Sequence, residues 1–139
     1  MDYEIDLDPV HRVLRVTTTA AVLTEELYED YNRSLALVAS RGGPYACISD
    51  FSRVTGTTIS AEMIRSYAHR PPTVPAGRIR VIVAKEAAFF GLARMFQLWR
   101  DYMGGQFHVV HTMEEAYELV GVRPEDFTKR LYTTVKIDA

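Results

Sequence analysis

The chain has 139 residues, 47% of them hydrophobic, and a formal net charge of −2. We expect a single domain, with a core over about residues 3–131 and a loosely held tail at 132–139. So small a net charge argues against an obligate nucleic-acid binder, and a single cysteine excludes a disulfide framework or a thiolate metal site within one chain. No apolar run approaches the ~18 residues of a membrane span, and we expect no signal peptide before Tyr3. These features predict a cytoplasmic protein.

The charges are distributed unevenly along the chain. Residues 1–30 carry eight acidic and two basic side chains, whereas residues 31–100 carry three acidic and ten basic ones. The middle of the chain therefore has two interpretations. It presents a basic surface to an anionic partner, or folding interleaves the basic side chains with the acidic ones from the two ends.

The first elements are two strands that alternate in polarity, at residues 3–7 and 10–16. The short Asp8-Pro9 turn between them predicts an antiparallel hairpin at the edge of a sheet. Thr24 is placed to cap a helix that ends at Gly42-Gly43-Pro44, with an apolar stripe along one side. The pattern predicts a surface helix in which only the apolar stripe is buried and the opposite side faces solvent.

Residues 45–51 form the third predicted strand, and a loop rich in serine and threonine follows it. Ser60 is placed to cap a second helix that runs to about His69, with Ile59 and Ile64 as a hydrophobic staple. A proline-rich connector leads to the next strand at residues 78–84, which is β-branched in its second half and suits burial on both faces.

Residues 86–103 have helical spacing, and residues 106–111 form a fifth strand. A helix that joins two buried strands implies a parallel pair. Thr112 opens a capping box for a fourth helix, and Pro124 begins a short terminal helix that buries Phe127 and Leu131. The predicted fold is therefore α/β, with element order ββαβαβαβα and a mixed, mostly parallel sheet of five strands.

The helix at 86–103 has an apolar arc that covers about half its circumference or more, which is wider than one sheet-facing stripe requires. Another element, a second subunit or a ligand must cover the surplus, although an ordinary core explains a stripe of methionine and aromatic residues equally well. We expect a homodimer or an apolar ligand pocket at this helix. The candidate residues are Phe90, Met95, Leu98, Trp99 and Tyr102.

A second candidate site follows from the topology, because ligands of open α/β sheets gather outside the carboxyl ends of parallel strands. One interpretation pairs Asp50 with His111 at this edge, as a general base and the residue that orients it. No nucleophile motif accompanies these two residues. The ordinary interpretation is helix capping and solvated loops. The histidine spacing favours no metal, and no glycine-rich phosphate loop is present, so we expect no cofactor. The candidates at this edge are Asp50, Ser52, Arg53, Thr58, Ser60 and His111.

Several stretches resemble the STAS and anti-sigma-factor-antagonist-like superfamily, particularly its divergent bacterial members. They are the opening hairpin with the acidic helix start at 24–30, the strand Ile48-Ser-Asp-Phe51, the strand at 78–84 with its helix, and residues 107–116. The resemblance implies a regulatory or carrier domain rather than an enzyme, and it places Thr58 or Ser60 where antagonists carry a phosphorylated serine. This chain lacks the aspartate and glycine of that motif, so we expect no dedicated kinase to act there.

Two functions remain at this stage. The first is a non-enzymatic regulatory module that docks a protein partner through residues 52–67. The alternative is a carrier or sensor of a small, lipid-like apolar ligand, held in a pocket beside the helix at 86–103.

Overall fold

The computed structural model describes residues 2–71, 78–102 and 106–133, and for residues 100–102 and 133 it describes the backbone alone. The helices are α1 (Glu25–Gly42), α2 (Ala61–Ala68), α3 (Ala87–Tyr102) and α4 (Met113–Val120), and a 3-10 turn spans Pro124–Asp126. The strands are β1 (Tyr3–Asp8), β2 (Val13–Thr18), β3 (Val22–Leu23), β4 (Ala46–Asp50), β5 (Gly56–Thr57), β6 (Arg80–Val83), β7 (Phe107–Val110) and β8 (Lys129–Thr133). No helix within the described ranges has the length and apolar character needed to span a membrane.

Six of the strands form one sheet in the order β7-β6-β4-β2-β1-β8. The pairs β2–β4, β4–β6 and β6–β7 are parallel, whereas β1 is antiparallel to both of its neighbours. The predicted α/β class, the mostly parallel mixed sheet and the N-terminal hairpin are thus confirmed. The short strands β3 and β5 pair separately, and the sequence did not predict them.

The C-terminal prediction was wrong in part, because the sheet has a sixth strand. The predicted terminal helix is only the 3-10 turn, and β8 then pairs with β1. The hairpin therefore lies one strand in from the edge. Tyr132, which was assigned to a loose tail, stacks on Tyr3 with ring centroids 5.2 Å apart, and residues 134–139 lie outside the described part. Long-range pairing specifies β8, and a local pattern does not reveal it.

The predicted helix starts are confirmed by their capping hydrogen bonds. Thr24 and Ser60 each accept a hydrogen bond from the backbone N–H three residues later, at 3.1 Å. Thr112 accepts one from the Glu115 N–H at 3.2 Å and donates its hydroxyl to the Glu115 carboxylate. Gly121 ends α4 with a φ of 81°, which glycine adopts without the steric cost of a side chain. Each N-cap contributes about 1 kcal/mol, and all of these signals are local in sequence.

Helices cover the two faces of the sheet unequally. Helices α1, α2 and α3 pack on one face, which we call the α1–α3 face, where a large cluster contains Tyr31, Phe51 and Phe96. The other face, the α4 face, carries a smaller cluster around Ile48 and Val81, covered by α4 and the residues that follow it. Successive strand residues alternate between these faces, which is the period of two expected of strands.

The predicted sheet core was nearly right. Ile48, Val81 and Val83 are fully buried on the α4 face, as predicted. Val109 was also expected to be almost fully buried, and that was wrong, since it is only partly buried and packs on the α1–α3 face. The reason is that β7 is the edge strand of the sheet, so one side of Val109 lacks a neighbouring strand.

Candidate functional site

The carboxyl ends of β2, β4, β6 and β7 lie at one edge of the sheet, and the predicted polar candidates follow these ends. Asp50 accepts a hydrogen bond from the Ser52 backbone N–H at 2.9 Å and so closes its own turn. His111 stacks on the ring of Phe90, with centroids 4.0 Å apart and an interplanar angle of 8°. The Asp50 contact is the loop chemistry of the ordinary interpretation, and the expectation that Asp50 and His111 are not a catalytic pair stays a prediction.

The remaining candidates at this edge are exposed. Arg53 and Thr58 extend to solvent, and so does Ser60, whose hydroxyl already accepts the capping hydrogen bond of α2. The neighbouring Thr57 donates its hydroxyl to the Leu23 carbonyl at 2.7 Å. The loop is thus held by its own hydroxyl groups, and protein docking through it stays a prediction.

The apolar arc of α3 is covered in part by α2. Trp99 is half-buried, with the Arg65 guanidinium 5.0 Å from the centre of its ring and the His69 ring at 5.5 Å. Met95 is also half-buried, but Leu98 is 65% exposed. The side chain of Tyr102 lies outside the described part. A neighbouring helix therefore accounts for the Trp99 side of the arc, and the predicted homodimer stays a prediction.

Sequence reasoning did not identify Arg80 as a functional residue. Arg80 is the first residue of β6, its side chain lies on the α1–α3 face, and it is only 6% exposed. The guanidinium lies near the Tyr31 side chain and 5.7 Å from the ring centre of Phe107. Its Nε and Nη2 atoms, however, have no hydrogen-bond partner within the described ranges. An unpaired buried charge is costly, so this arrangement needs a physical reason.

A cavity of ≈ 50 Å³ lies at this guanidinium. The second arginine of its wall, Arg70, donates to both carboxylate oxygens of Glu29, at 3.0 and 3.3 Å. Two arginines line this cavity, and Arg80 is therefore the one that has no carboxylate partner among the described residues. The lining residues are Tyr28, Asn32, Tyr67, Arg70, Pro71, Arg80 and Phe96.

An apolar cavity of ≈ 20 Å³ adjoins this polar one under α3, and the two cavities share Tyr28 and Phe96 as walls. Side chains from all three helices of the α1–α3 face and from the sheet close the apolar cavity. Together the two spaces are amphipathic, with a cation at one end and aromatic rings at the other. The lining residues of the apolar cavity are Tyr28, Phe51, Ile64, Ile82, Phe89, Ala93, Phe96 and Phe107.

The protonation states around the polar cavity are defined by neighbouring groups. The hydrogen bond from Arg70 holds the pKa of the Glu29 carboxyl below its ordinary value, so Glu29 is anionic at neutral pH. Burial and the Glu29 carboxylate raise the pKa of Tyr67, so its phenol keeps its proton. Glu29 therefore neutralises Arg70, and the charge of Arg80 remains.

A second cluster of chemically capable side chains lies on the hairpin side of the molecule. Asp8, His11 and Asp126 each offer a potential metal-ligand atom, and these atoms all lie within 4.8 Å of one another. The sequence shows no spacing typical of metal ligands here, because Asp126 is distant in the chain from Asp8 and His11. Asp8 accepts hydrogen bonds from two backbone N–H groups and from the His11 ring at 2.7 Å, and Asp126 accepts one from the Arg123 N–H. These bonds account for the cluster as turn chemistry.

The chain matches no protein-family model, and it has no significant match among curated proteins or among solved structures. The resemblance to STAS and anti-sigma-factor-antagonist-like domains therefore stays a prediction.

Proposed function

We propose that this protein is a non-enzymatic carrier or sensor that binds a small apolar molecule in the cavity beneath α3. The observation that supports this function is the apolar cavity itself, together with the polar cavity that shares two of its walls. Protein interiors are close-packed and contain few voids larger than a water molecule. The polar cavity is larger than a water molecule, and the apolar cavity that adjoins it is slightly larger than one.

The position of the cavity also favours ligand binding over an ordinary packing defect. Ala93 faces the cavity from α3 between the larger side chains Phe89 and Phe96. A small side chain at this position leaves room that a larger apolar residue would fill. Because empty apolar cavities stay dry and take up benzene or xenon, the cavity has a direct chemical test.

The test is a titration of the purified, refolded protein with methane and xenon, whose size suits a cavity of ≈ 20 Å³, followed by NMR and by the fluorescence of Trp99, the one tryptophan of the chain. We expect saturable binding by the wild type and loss of binding in Ala93→Leu, which fills the cavity. Ala88→Leu introduces the same side chain on the exposed surface of α3 and should bind as the wild type does. Native mass spectrometry of the protein before refolding identifies any small molecule that co-purifies.

Two results would contradict the proposal. One is a wild type that binds neither probe, and the other is an Ala93→Leu variant that is folded and binds both probes unchanged. Either result would show that the space beneath α3 is not a ligand site.

A further inference from the structure

We propose that the ligand carries a carboxylate and that Arg80 is the residue that binds it. This inference rests on the proposed function, because it assigns the chemistry of the polar end of the same site. The ligand class is a short-chain monocarboxylate, whose acyl chain reaches the apolar cavity past Tyr28 and Phe96.

The unpaired edge of the guanidinium is the first argument. Nε and Nη2 point along one edge of the planar group, and these are the two nitrogens without partners among the described residues. Two parallel N–H donors match the two oxygens of a carboxylate, so the pair forms a bidentate contact. The described part of the chain leaves this edge of the guanidinium unpaired, and Arg80 lines the polar cavity.

The charge around the cavity is the second argument. Arg70 is neutralised by Glu29, and the Asn32 amide donates to the Tyr28 carbonyl at 2.9 Å. Tyr67 keeps its proton beside Glu29. The described lining therefore has one uncompensated positive charge, which a monoanion balances. A phosphate dianion would require a second unpaired cation, and the described lining offers none.

The size of the two spaces is the third argument. One water molecule needs about 10–15 Å³ of cavity volume. The polar cavity of ≈ 50 Å³ therefore accommodates a chemical group of about three or four water-sized atoms. A carboxylate with its α-carbon has this size. The apolar cavity of ≈ 20 Å³ accommodates only a methyl or a methylene group or two. The two cavities together thus fit an acid with a chain of a few carbons, and they are too small for a long-chain fatty acid.

The experiment compares butyrate with its neutral isostere butyramide, by calorimetric titration of refolded protein near pH 7. Charge-assisted hydrogen bonds contribute more than neutral ones, so we expect butyrate to bind the wild type at least about tenfold more tightly. Arg80→Met keeps a side chain of similar length without charge, and in this variant the two ligands should bind equally. Arg94→Met, which removes an exposed arginine of α3 outside the lining of both cavities, should keep the preference for butyrate.

A direct signal from the wild type keeps the inference testable if Arg80→Met does not fold. The Nε–H resonance of Arg80 should shift downfield on addition of butyrate and should not respond to butyramide. Inorganic phosphate should not displace butyrate.

The outcomes separate the two proposals. Equal binding of butyrate and butyramide, or an unshifted Arg80 resonance at saturation, overturns the carboxylate assignment and leaves the apolar carrier intact if xenon binds. Failure of methane, xenon and both butyl compounds to bind overturns the proposed function as well. Tighter binding of phosphate than of butyrate overturns the ligand class alone.

Discussion

Two arginines on opposite faces of the sheet, the partly buried Arg15 and the buried Arg80, are in contrasting environments. On the α4 face, Arg15 lies 3.4 Å from the Asp6 carboxylate, donates to the Tyr117 hydroxyl at 2.9 Å and covers the ring of Phe127. Asp6 also accepts a hydrogen bond from Arg130 at 2.8 Å. On the α1–α3 face, Arg80 has no carboxylate partner in the described part of the chain, and it lies against a cavity.

The difference separates structural charge from charge that is available to a ligand. The Arg15 network joins β2 to β1, β8 and α4, so each charge is compensated within the fold. Compensation of this kind offsets the large cost of removing charged groups from water. Arg80 carries that cost without a described counter-ion, and an anionic ligand would offset it.

The largest expected effect comes from breaking the compensated network. Asp6→Ala leaves Arg15 without its carboxylate, and breaking a buried ion pair costs ~3–5 kcal/mol. Arg130 is half-exposed and Arg15 is partly exposed, so we expect about 3 kcal/mol, from the lower end of that range, by urea unfolding. Glu4→Ala is the matched control on the same strand, because Glu4 pairs with the half-exposed Arg130 alone among the described residues. It should cost less than about 1 kcal/mol, and equal effects of the two substitutions would contradict the distinction.

The second prediction compares the two arginines directly, with the same substitution at both. Removing an uncompensated buried charge also removes the cost of taking that charge out of water, so Arg80→Met should raise the free energy of unfolding of the ligand-free protein. Arg15→Met should lower it, because Asp6 and the Tyr117 hydroxyl lose a partner. Urea unfolding of both variants measures the two signs. A destabilised Arg80→Met variant would show that Arg80 is structural.

The sequence predicted those features that are specified locally. The caps at Thr24, Ser60 and Thr112 depend on residues three positions apart, and their hydrogen bonds are confirmed. Strand β8 was missed because Lys129-Arg130-Leu131-Tyr132 has little apolar alternation. Its place depends on β1, and a register shift between Ile5 and Asp6 adjusts the pairing.

The candidate site was less predictable than the fold, for a physical reason. Arg78-Ile79-Arg80 alternates in polarity, and this pattern normally places arginines in solvent at the start of a strand. Arg80 is buried only because α1, α2 and α3 pack over the amino end of β6, and no local pattern encodes that packing. The contact between Tyr28 and the cavity depends on the same three helices. The surplus apolar residues that the sequence indicated on α3, such as Phe90, Met95 and Leu98, do not line the apolar cavity. Its α3 wall is formed by Phe89, Ala93 and Phe96.

The third prediction concerns acid stability on the compensated side of the molecule. Asp8 is fully buried, and although burial opposes ionisation, hydrogen bonds from His11 and Val10 hold its pKa below the ordinary value. Its ionised form therefore stabilises the fold above the unfolded-state pKa of about 3.9, and that contribution is lost as the pH falls through the lower folded-state pKa.

Asp8→Asn should cost about 1 kcal/mol at pH 7 and should flatten the loss of stability below about pH 4. Urea unfolding at pH 7 and pH 3 measures both quantities. The control Glu118→Gln removes an exposed carboxylate and should keep the wild-type pH dependence. Parallel curves for Asp8→Asn and the wild type would show that Asp8 does not contribute to the acid transition.

The smallest expected change in stability concerns the outer surface of α3. The inner surface of this helix meets the sheet and the cavity through Phe89 and Phe96, but Leu98 is 65% exposed. Leu98→Glu should therefore change the free energy of unfolding by less than about 0.5 kcal/mol. If the predicted homodimer forms through α3, the same substitution places a charge in the interface and should shift sedimentation from dimer to monomer. Leu37→Glu is the matched control on α1, where Leu37 is 52% exposed, and it should leave sedimentation unchanged. A wild type that sediments as a monomer would show that the predicted homodimer is wrong and that the apolar arc of α3 serves only the core, α2 and the cavity.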